Sequence, residues 1–97
     1  MALHLVVAAS GGVPALDVLP SCHASAAEEV AISDRLQACV TREQNARDQL
    51  VKRWTTFQSA DRPRCVGMLL DCDPSYTELL TCLEMANDVR KFPEELY

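Results

Sequence analysis

The side chains with the widest chemical range in this sequence are its five cysteines, Cys22, Cys39, Cys65, Cys72 and Cys82. Cysteine thiols can pair as disulfides, bind soft metals or act as nucleophiles. No Cys-x-x-Cys pair occurs, which argues against thioredoxin-like exchange. His4 falls in the N-terminal segment that is predicted below to be a leader, so the mature chain has one histidine, His23, and cannot build a multi-histidine metal site. Because no set of residues resembles a catalytic site, we predict that the protein is not an enzyme and uses no cofactor or metal. Structural disulfides are the expected role of the cysteines.

The spacing of four of these cysteines indicates a twofold internal repeat. Sixteen residues separate Cys22 from Cys39, and sixteen separate Cys65 from Cys82. Both leading cysteines lie two positions after a proline, and both trailing cysteines lie eight positions before an arginine. Four cysteines allow three pairings, and sequence alone does not choose among them. The repeat favours Cys22–Cys39 with Cys65–Cys82 over Cys22–Cys82 with Cys39–Cys65.

Cys72 is the fifth cysteine and lies outside this repeat, between Asp71 and Asp73. We expect it to remain a free thiol. Two alternatives stay open. One is a different disulfide pairing, and the other is a soft-metal site with Asp71, Asp73 and His23 if the fold brings these side chains together.

Four residues are candidates for a partner or ligand surface: Glu43, Arg47, Trp54 and Phe57. Glu43 falls on the apolar seam of a predicted helix, where a buried carboxylate is costly. It is either an acid/base group or ligand anchor, or the ion-pair partner of Arg47 or Arg90. Trp54 and Phe57 are either an exposed aromatic contact for a partner or a plug at one end of the core.

Helical signals dominate the chain after its N-terminal segment. A three- and four-residue apolar periodicity, uninterrupted by glycine or proline, predicts one long helix over 33–58. A short helix that contains Cys22 precedes it, and another short helix ends at about Met68. The pattern predicts an all-α fold of about four helices, arranged as two helix–helix units that two disulfides staple together.

The last helix is predicted over about 76–91 and begins at a capping box formed by Ser75 and Glu78. More than half of its circumference is apolar, so we expect it to be the central and most buried element. Its apolar residues are Tyr76, Leu79, Leu80, Cys82, Leu83, Met85, Ala86 and Val89.

The N-terminal segment has features of a secretory signal peptide. Residues 2–9 are almost entirely apolar but too few to span a bilayer, which needs about 20. Val13 and Ala15 are small residues at the −3 and −1 positions of a cleavage site that follows Ala15. We therefore predict a leader over 1–15 and one mature domain over 16–97, periplasmic or secreted and without a membrane span. No basic residue precedes the apolar run, and the alternative is a buried N-terminal strand or helix.

Length and charge restrict the function classes. The chain has 97 residues, of which 48% are hydrophobic, and a formal net charge of −5. The core that a chain of this length can bury leaves little margin of stability, so small domains usually rely on disulfides, metals or oligomerisation. The acidic balance argues against nucleic acid as a partner, because no basic face outweighs it.

Several stretches of the sequence resemble a group of small exported alphaproteobacterial proteins that have four cysteines and no assigned function. The resemblance lies in the stretch from Cys39 to Trp54, with its C-x3-E-x2-A-R pattern, and in the motif P-S-Y-T-E-L-L-T-C-L-E-M over 74–85. It includes Leu-Asp-Val and Pro-Ser-Cys within 16–22, and so covers nearly the whole predicted mature domain. The resemblance implies a periplasmic protein with disulfides and supplies no activity. Cys72 departs from the pattern, because the similar proteins have a small or polar residue there, often glycine.

For function, the sequence favours a structural or protein-interaction component of the cell envelope. This prediction follows from the helical faces and from the lack of a reactive set of side chains, and it implies an unidentified protein partner in the periplasm. The alternative is a carrier of a small apolar ligand or lipid, held in a disulfide-linked helical shell rich in Leu, Val and Met.

Overall fold

The computed structural model of the protein describes residues 12–26, 32–69 and 73–91. These residues form four α-helices, namely α1 over Leu19–Ala26, α2 over Ile32–Arg53, α3 over Asp61–Leu69 and α4 over Tyr76–Lys91. A short 3-10 turn over Trp54–Thr56 follows α2. The described part of the chain contains no β-strand, and the predicted all-α fold of four helices is confirmed.

Side-chain caps explain where two of the helices begin. At the start of α1, the Leu19 N–H donates to the Asp17 carboxylate at 3.2 Å. At the start of α4, the Glu78 N–H donates to the Ser75 hydroxyl oxygen at 3.2 Å. The Ser75 bond is one half of the predicted capping box. It fixes the first turn of α4 where the sequence predicts it.

The long helix ends earlier than its apolar periodicity predicts. The expected range runs to residue 58, whereas α2 ends at Arg53 and continues only as the 3-10 turn. The Thr56 hydroxyl donates to the Arg53 carbonyl at 2.6 Å and satisfies one of the terminal acceptors of the helix. Phe57 then has an extended backbone, with φ −83° and ψ 150°, and its ring is buried. The chain therefore leaves the helix in order to place this ring in the core.

Helix α4 shares the centre of the fold with α2, because each of the two packs against two other described helices. Helix α4 packs against both α2 and α3, whereas α1 packs against α2 and against no other described helix. The core consists of apolar side chains from these elements and from the segment before α1. Its members are Val13, Ala46, Leu50, Trp54, Phe57, Cys65, Leu69, Tyr76, Leu79, Leu80 and Leu83.

The surface of α4 differs from the prediction in its second half. Met85 exposes 62% of its surface and Val89 exposes 48%, although both belong to the apolar set that the sequence places in the most buried helix. Helices α2 and α3 pack against the face of α4 on which Leu79 and Leu83 are fully buried. The apolar stripe of α4 is wider than α2 and α3 can cover, so Met85 and Val89 stay at the surface.

The segment before α1 is part of the fold. Residues 1–11 of the predicted leader lie outside the described residues, but residues 12–18 run along the helices, and we call them the N-terminal strap. Val13 exposes 1% of its surface and belongs to the core. Leu16 and Val18 are partly buried and pack against the same core.

Candidate functional site

Two disulfides join the helices in pairs. Cys22 of α1 is bonded to Cys39 of α2, and Cys65 of α3 is bonded to Cys82 of α4. The Cα atoms are 5.6 Å and 5.8 Å apart, inside the range of about 4.4–6.8 Å that a disulfide requires. The pairing that the repeat favours is confirmed, and the competing pairing of Cys22 with Cys82 is excluded.

The other residues considered for thiol or metal chemistry are dispersed or lie outside the description. Cys72 and Asp71 are not among the described residues, so the free thiol stays a prediction. Asp73 and His23 are both exposed. Within residues 12–26, 32–69 and 73–91, no group of three or more His, Cys, Asp or Glu side chains is placed to hold a metal ion.

Glu43 lies buried between α2 and the first turn of α4. Its Oε1 atom accepts the Tyr76 N–H at 2.6 Å and the Thr77 N–H at 3.3 Å. Its Oε2 atom accepts the Ser75 hydroxyl at 2.7 Å. Ser75 in turn accepts the Glu78 N–H, so a chain of hydrogen bonds runs from α2 into α4.

The position of Glu43 explains why a carboxylate is stable on this apolar seam. The first N–H groups of a helix have no partner within the helix, and the helix dipole gives that end a partial positive charge. Glu43 supplies both the hydrogen-bond acceptors and the negative charge. Its side chain therefore fills the position at the start of α4 that an anion from solution could otherwise occupy. The predicted pairing of Glu43 with Arg90 is wrong, because Arg90 binds Asp61 instead. Arg47 lies beside Glu43 along an open groove of about 190 Å³ between the strap and α2.

Trp54 and Phe57 belong to the core and do not form a partner surface. They expose 7% and 2% of their surfaces, so of the two interpretations the core plug describes them and the exposed aromatic contact does not. Arginines cover their outer sides, because the Arg53 guanidinium lies 5.0 Å from the Phe57 ring centre and that of Arg62 lies 5.8 Å from the Trp54 ring centre. These cation–π contacts close the end of the core where α2 gives way to α3.

A second buried carboxylate, Asp61, fastens α3 to the C-terminal turn of α4. Its two oxygens accept hydrogen bonds from Arg90, from Nε at 3.0 Å and from Nη2 at 2.9 Å, and Arg64 adds a third at 2.8 Å. The hydrogen bond from Arg90 lowers the pKa of the Asp61 carboxyl, although burial acts in the opposite direction. The same pairing raises the pKa of Arg90.

Asp61 is expected to make the stability of the protein sensitive to acid. Because the folded-state pKa of Asp61 is lowered, its stabilising contribution is present above the ordinary carboxyl value of about 4 and is lost as the pH falls through the lowered value. Asp61→Asn is therefore expected to lower the free energy of unfolding at pH 7 and to flatten its decline below about pH 4. Urea unfolding between pH 7 and pH 2 measures both effects. The matched control is Asp88→Asn, an exposed position on α4, and indistinguishable profiles for the two variants would contradict the assignment.

The Asp61 cluster was not predicted from the sequence, for a physical reason. Arg90 was considered only as a partner of Glu43, and no partner was predicted for Asp61. The available signals were a carboxylate at the start of one helix and basic residues at the end of another, at Arg90 and Lys91. These signals suit the helix dipoles individually. Only the packing of α3 against α4 shows that Asp61 and Arg90 meet.

The described helices include none with both the length and the apolar character needed to cross a bilayer. Comparisons of this chain with known protein families, with curated proteins and with solved structures found no match. Membership of the exported alphaproteobacterial group therefore stays a prediction that rests on the sequence motifs alone.

Proposed function

We propose that the protein is a small exported component of the cell envelope that acts by binding another protein and not by catalysis. The two disulfides support an oxidising location, because such bonds are typical of periplasmic and secreted domains. The apolar run over 2–9 supports export. We also propose that the two disulfide-linked helix pairs are copies of one unit, which the equal spacing of their cysteines supports.

The observation that carries this proposal is an exposed apolar patch on α3 and α4. Met68 exposes 63% of its surface and Met85 exposes 62%, and they flank the partly exposed Cys82 in an open groove of about 380 Å³. We call Met68, Cys82 and Met85 the methionine patch. Contiguous exposed apolar surface on a small protein commonly marks an interaction site, and flexible thioether side chains adapt to the shape of a partner.

The Cys65–Cys82 disulfide gives the methionine patch a fixed geometry. The bond ties α3, which carries Met68, to α4, which carries Met85. The Cα atoms of Cys65 and Cys82 are 5.8 Å apart. A surface that is already ordered loses less entropy on binding. Glu78 lies at the rim of the groove, and the chain carries a net charge of −5, so a partner with an apolar side chain flanked by basic residues fits this surface.

The carrier alternative has one supporting observation, which is the size of the same groove. Its volume of about 380 Å³ is near the lower end of small-ligand pockets, about 300–1,000 Å³. Between the described helices, Leu50, Phe57, Leu79 and Leu83 fill the interior. A carrier would therefore hold its ligand in an open surface groove, such as the one at the methionine patch, and not inside a helical shell.

Site-specific photo-crosslinking in the native host tests the proposal. A photoreactive residue at Met85 is expected to give one discrete adduct of protein mass, and the second substitution Met68→Glu is expected to abolish it. The control position is Val51 on α2, which exposes 37% of its surface and lies outside the methionine patch. An adduct of small-molecule mass at Met85 would favour the carrier. Equal adducts at both positions, or none at Met85, would contradict a binding site here.

A further inference from the structure

The N-terminal strap, residues 12–18, is tied to the helices at three successive points. The first is Gly12, whose φ of +92° is a conformation that favours glycine. A Cβ atom there would lie 2.7 Å from the Trp54 indole nitrogen, so only glycine fits this close approach. The second is Val13, whose side chain is enclosed in the core.

The third point is a pair of hydrogen bonds centred on the Tyr76 hydroxyl. This group donates to the Pro14 carbonyl at 3.1 Å and accepts the Leu16 N–H at 2.7 Å. Tyr76 is itself buried at the start of α4, and its own N–H is held by Glu43. The strap is thereby connected to the cap that joins α2 to α4.

Cleavage after Ala15 would remove two of these three attachments and half of the third. Gly12 and Val13 would be lost, and so would the Pro14 carbonyl that accepts the Tyr76 hydroxyl. The core would keep a void of the size of the Val13 side chain, and the indole of Trp54 would lose its cover. Ala15 itself is exposed and makes no such contribution.

From this arrangement we infer that residues 12–18 are a permanent part of the mature domain, and that the signal peptidase cuts upstream of Gly12. The inference concerns the processing site and rests on the export proposed above. The residues before Gly12 meet the small-residue requirement of such a site, because Ala8, Ala9, Ser10 and Gly11 place small residues at the −3 and −1 positions of cleavage after Ser10 or after Gly11.

The processing test uses the full chain, expressed with its own N-terminus in a bacterial host and purified from each cell fraction. N-terminal sequencing and intact mass are expected to show an oxidised exported protein that begins at Gly11 or Gly12. The variant Ala15→Glu changes an exposed residue and forbids cleavage after residue 15, because that site needs a small residue at −1. Unchanged processing of this variant is the expected result. A folded protein that begins at Leu16, or a block of processing by Ala15→Glu, would overturn the inference.

A second measurement does not depend on export. In the oxidised full chain, Val13→Ala is expected to lower the folding equilibrium constant by about 30-fold, whereas Ala15→Glu is expected to leave it almost unchanged. Equal stabilities of the two variants would overturn the structural role of the strap. An unprocessed cytoplasmic chain that begins at Met1 would contradict the proposed export, and the comparison of Val13→Ala with Ala15→Glu would then decide the role of the strap alone.

Discussion

The substitution Cys82→Ser is expected to lower the free energy of unfolding by about 3 kcal/mol, because it opens the bond between α3 and α4. The bond closes a loop of 17 sequence positions, and its loss increases the conformational entropy of the unfolded chain. Helix α3 packs against α4 and against no other described helix, so it has no second helix to hold it. Urea unfolding of the oxidised proteins, monitored by the signal of Trp54, measures the loss.

The matched control for Cys82→Ser is Cys72→Ser. Both substitutions replace one cysteine with serine, but the four cysteines of the two disulfides do not include Cys72. Cys72→Ser is therefore expected to change the unfolding midpoint little. Similar losses in the two variants would mean that Cys72 takes part in a structural bond. Mass spectrometry of non-reduced tryptic peptides would then show which cysteine it replaces.

The substitution Glu43→Ala is expected to destabilise the protein by about 3 kcal/mol, although the removed side chain is polar. Its carboxylate is the acceptor for two backbone N–H groups and for the Ser75 hydroxyl, all at the start of α4. Hydrogen bonds to a charged group contribute more than neutral ones, and a buried donor left without an acceptor keeps its desolvation cost. Chemical denaturation at pH 7 measures the loss.

Two further variants separate the charge of Glu43 from its shape. Glu43→Gln keeps an acceptor oxygen but loses the negative charge at the helix terminus, so an intermediate loss of about 1 kcal/mol is expected. Gln44→Ala, at the exposed neighbouring position of α2, is the control and is expected to be nearly neutral. If Glu43→Ala were as stable as the control, the carboxylate would not be the cap of α4.

The parts of the fold that the sequence predicted correctly depend on local or repeated signals. The Ser75 cap and the apolar periodicity beyond it define α4 within one stretch of chain. The disulfide pairing was favoured by two equal spacings, because equal spacings indicate that each short helix folds back onto the longer helix that follows it. Signals of this kind can be read without knowledge of how the helices pack against one another.

The parts that the sequence did not predict depend on contacts between distant residues. The end of α2 at Arg53 follows from the burial of Phe57 and not from any breaker in the sequence. Glu43 stood out as a carboxylate on an apolar seam, but its partners lie 32–34 positions away. Val13 is one apolar residue in a run of small residues, and nothing local shows that its side chain enters the core.

The order of the cysteines along the chain has a consequence for biosynthesis. A chain that is oxidised while it emerges presents Cys22 and Cys39 before Cys65 appears. The native Cys22–Cys39 bond can therefore form in order of synthesis. The Cys65–Cys82 bond is different, because Cys72 emerges between these two cysteines. If Cys65 and Cys72 pair first, the Cys82 thiolate must attack the Cys65 sulfur and release Cys72 as a thiol. The N-terminal helix pair thus matures without rearrangement, whereas the C-terminal pair needs thiol–disulfide exchange wherever Cys65 has first paired with Cys72.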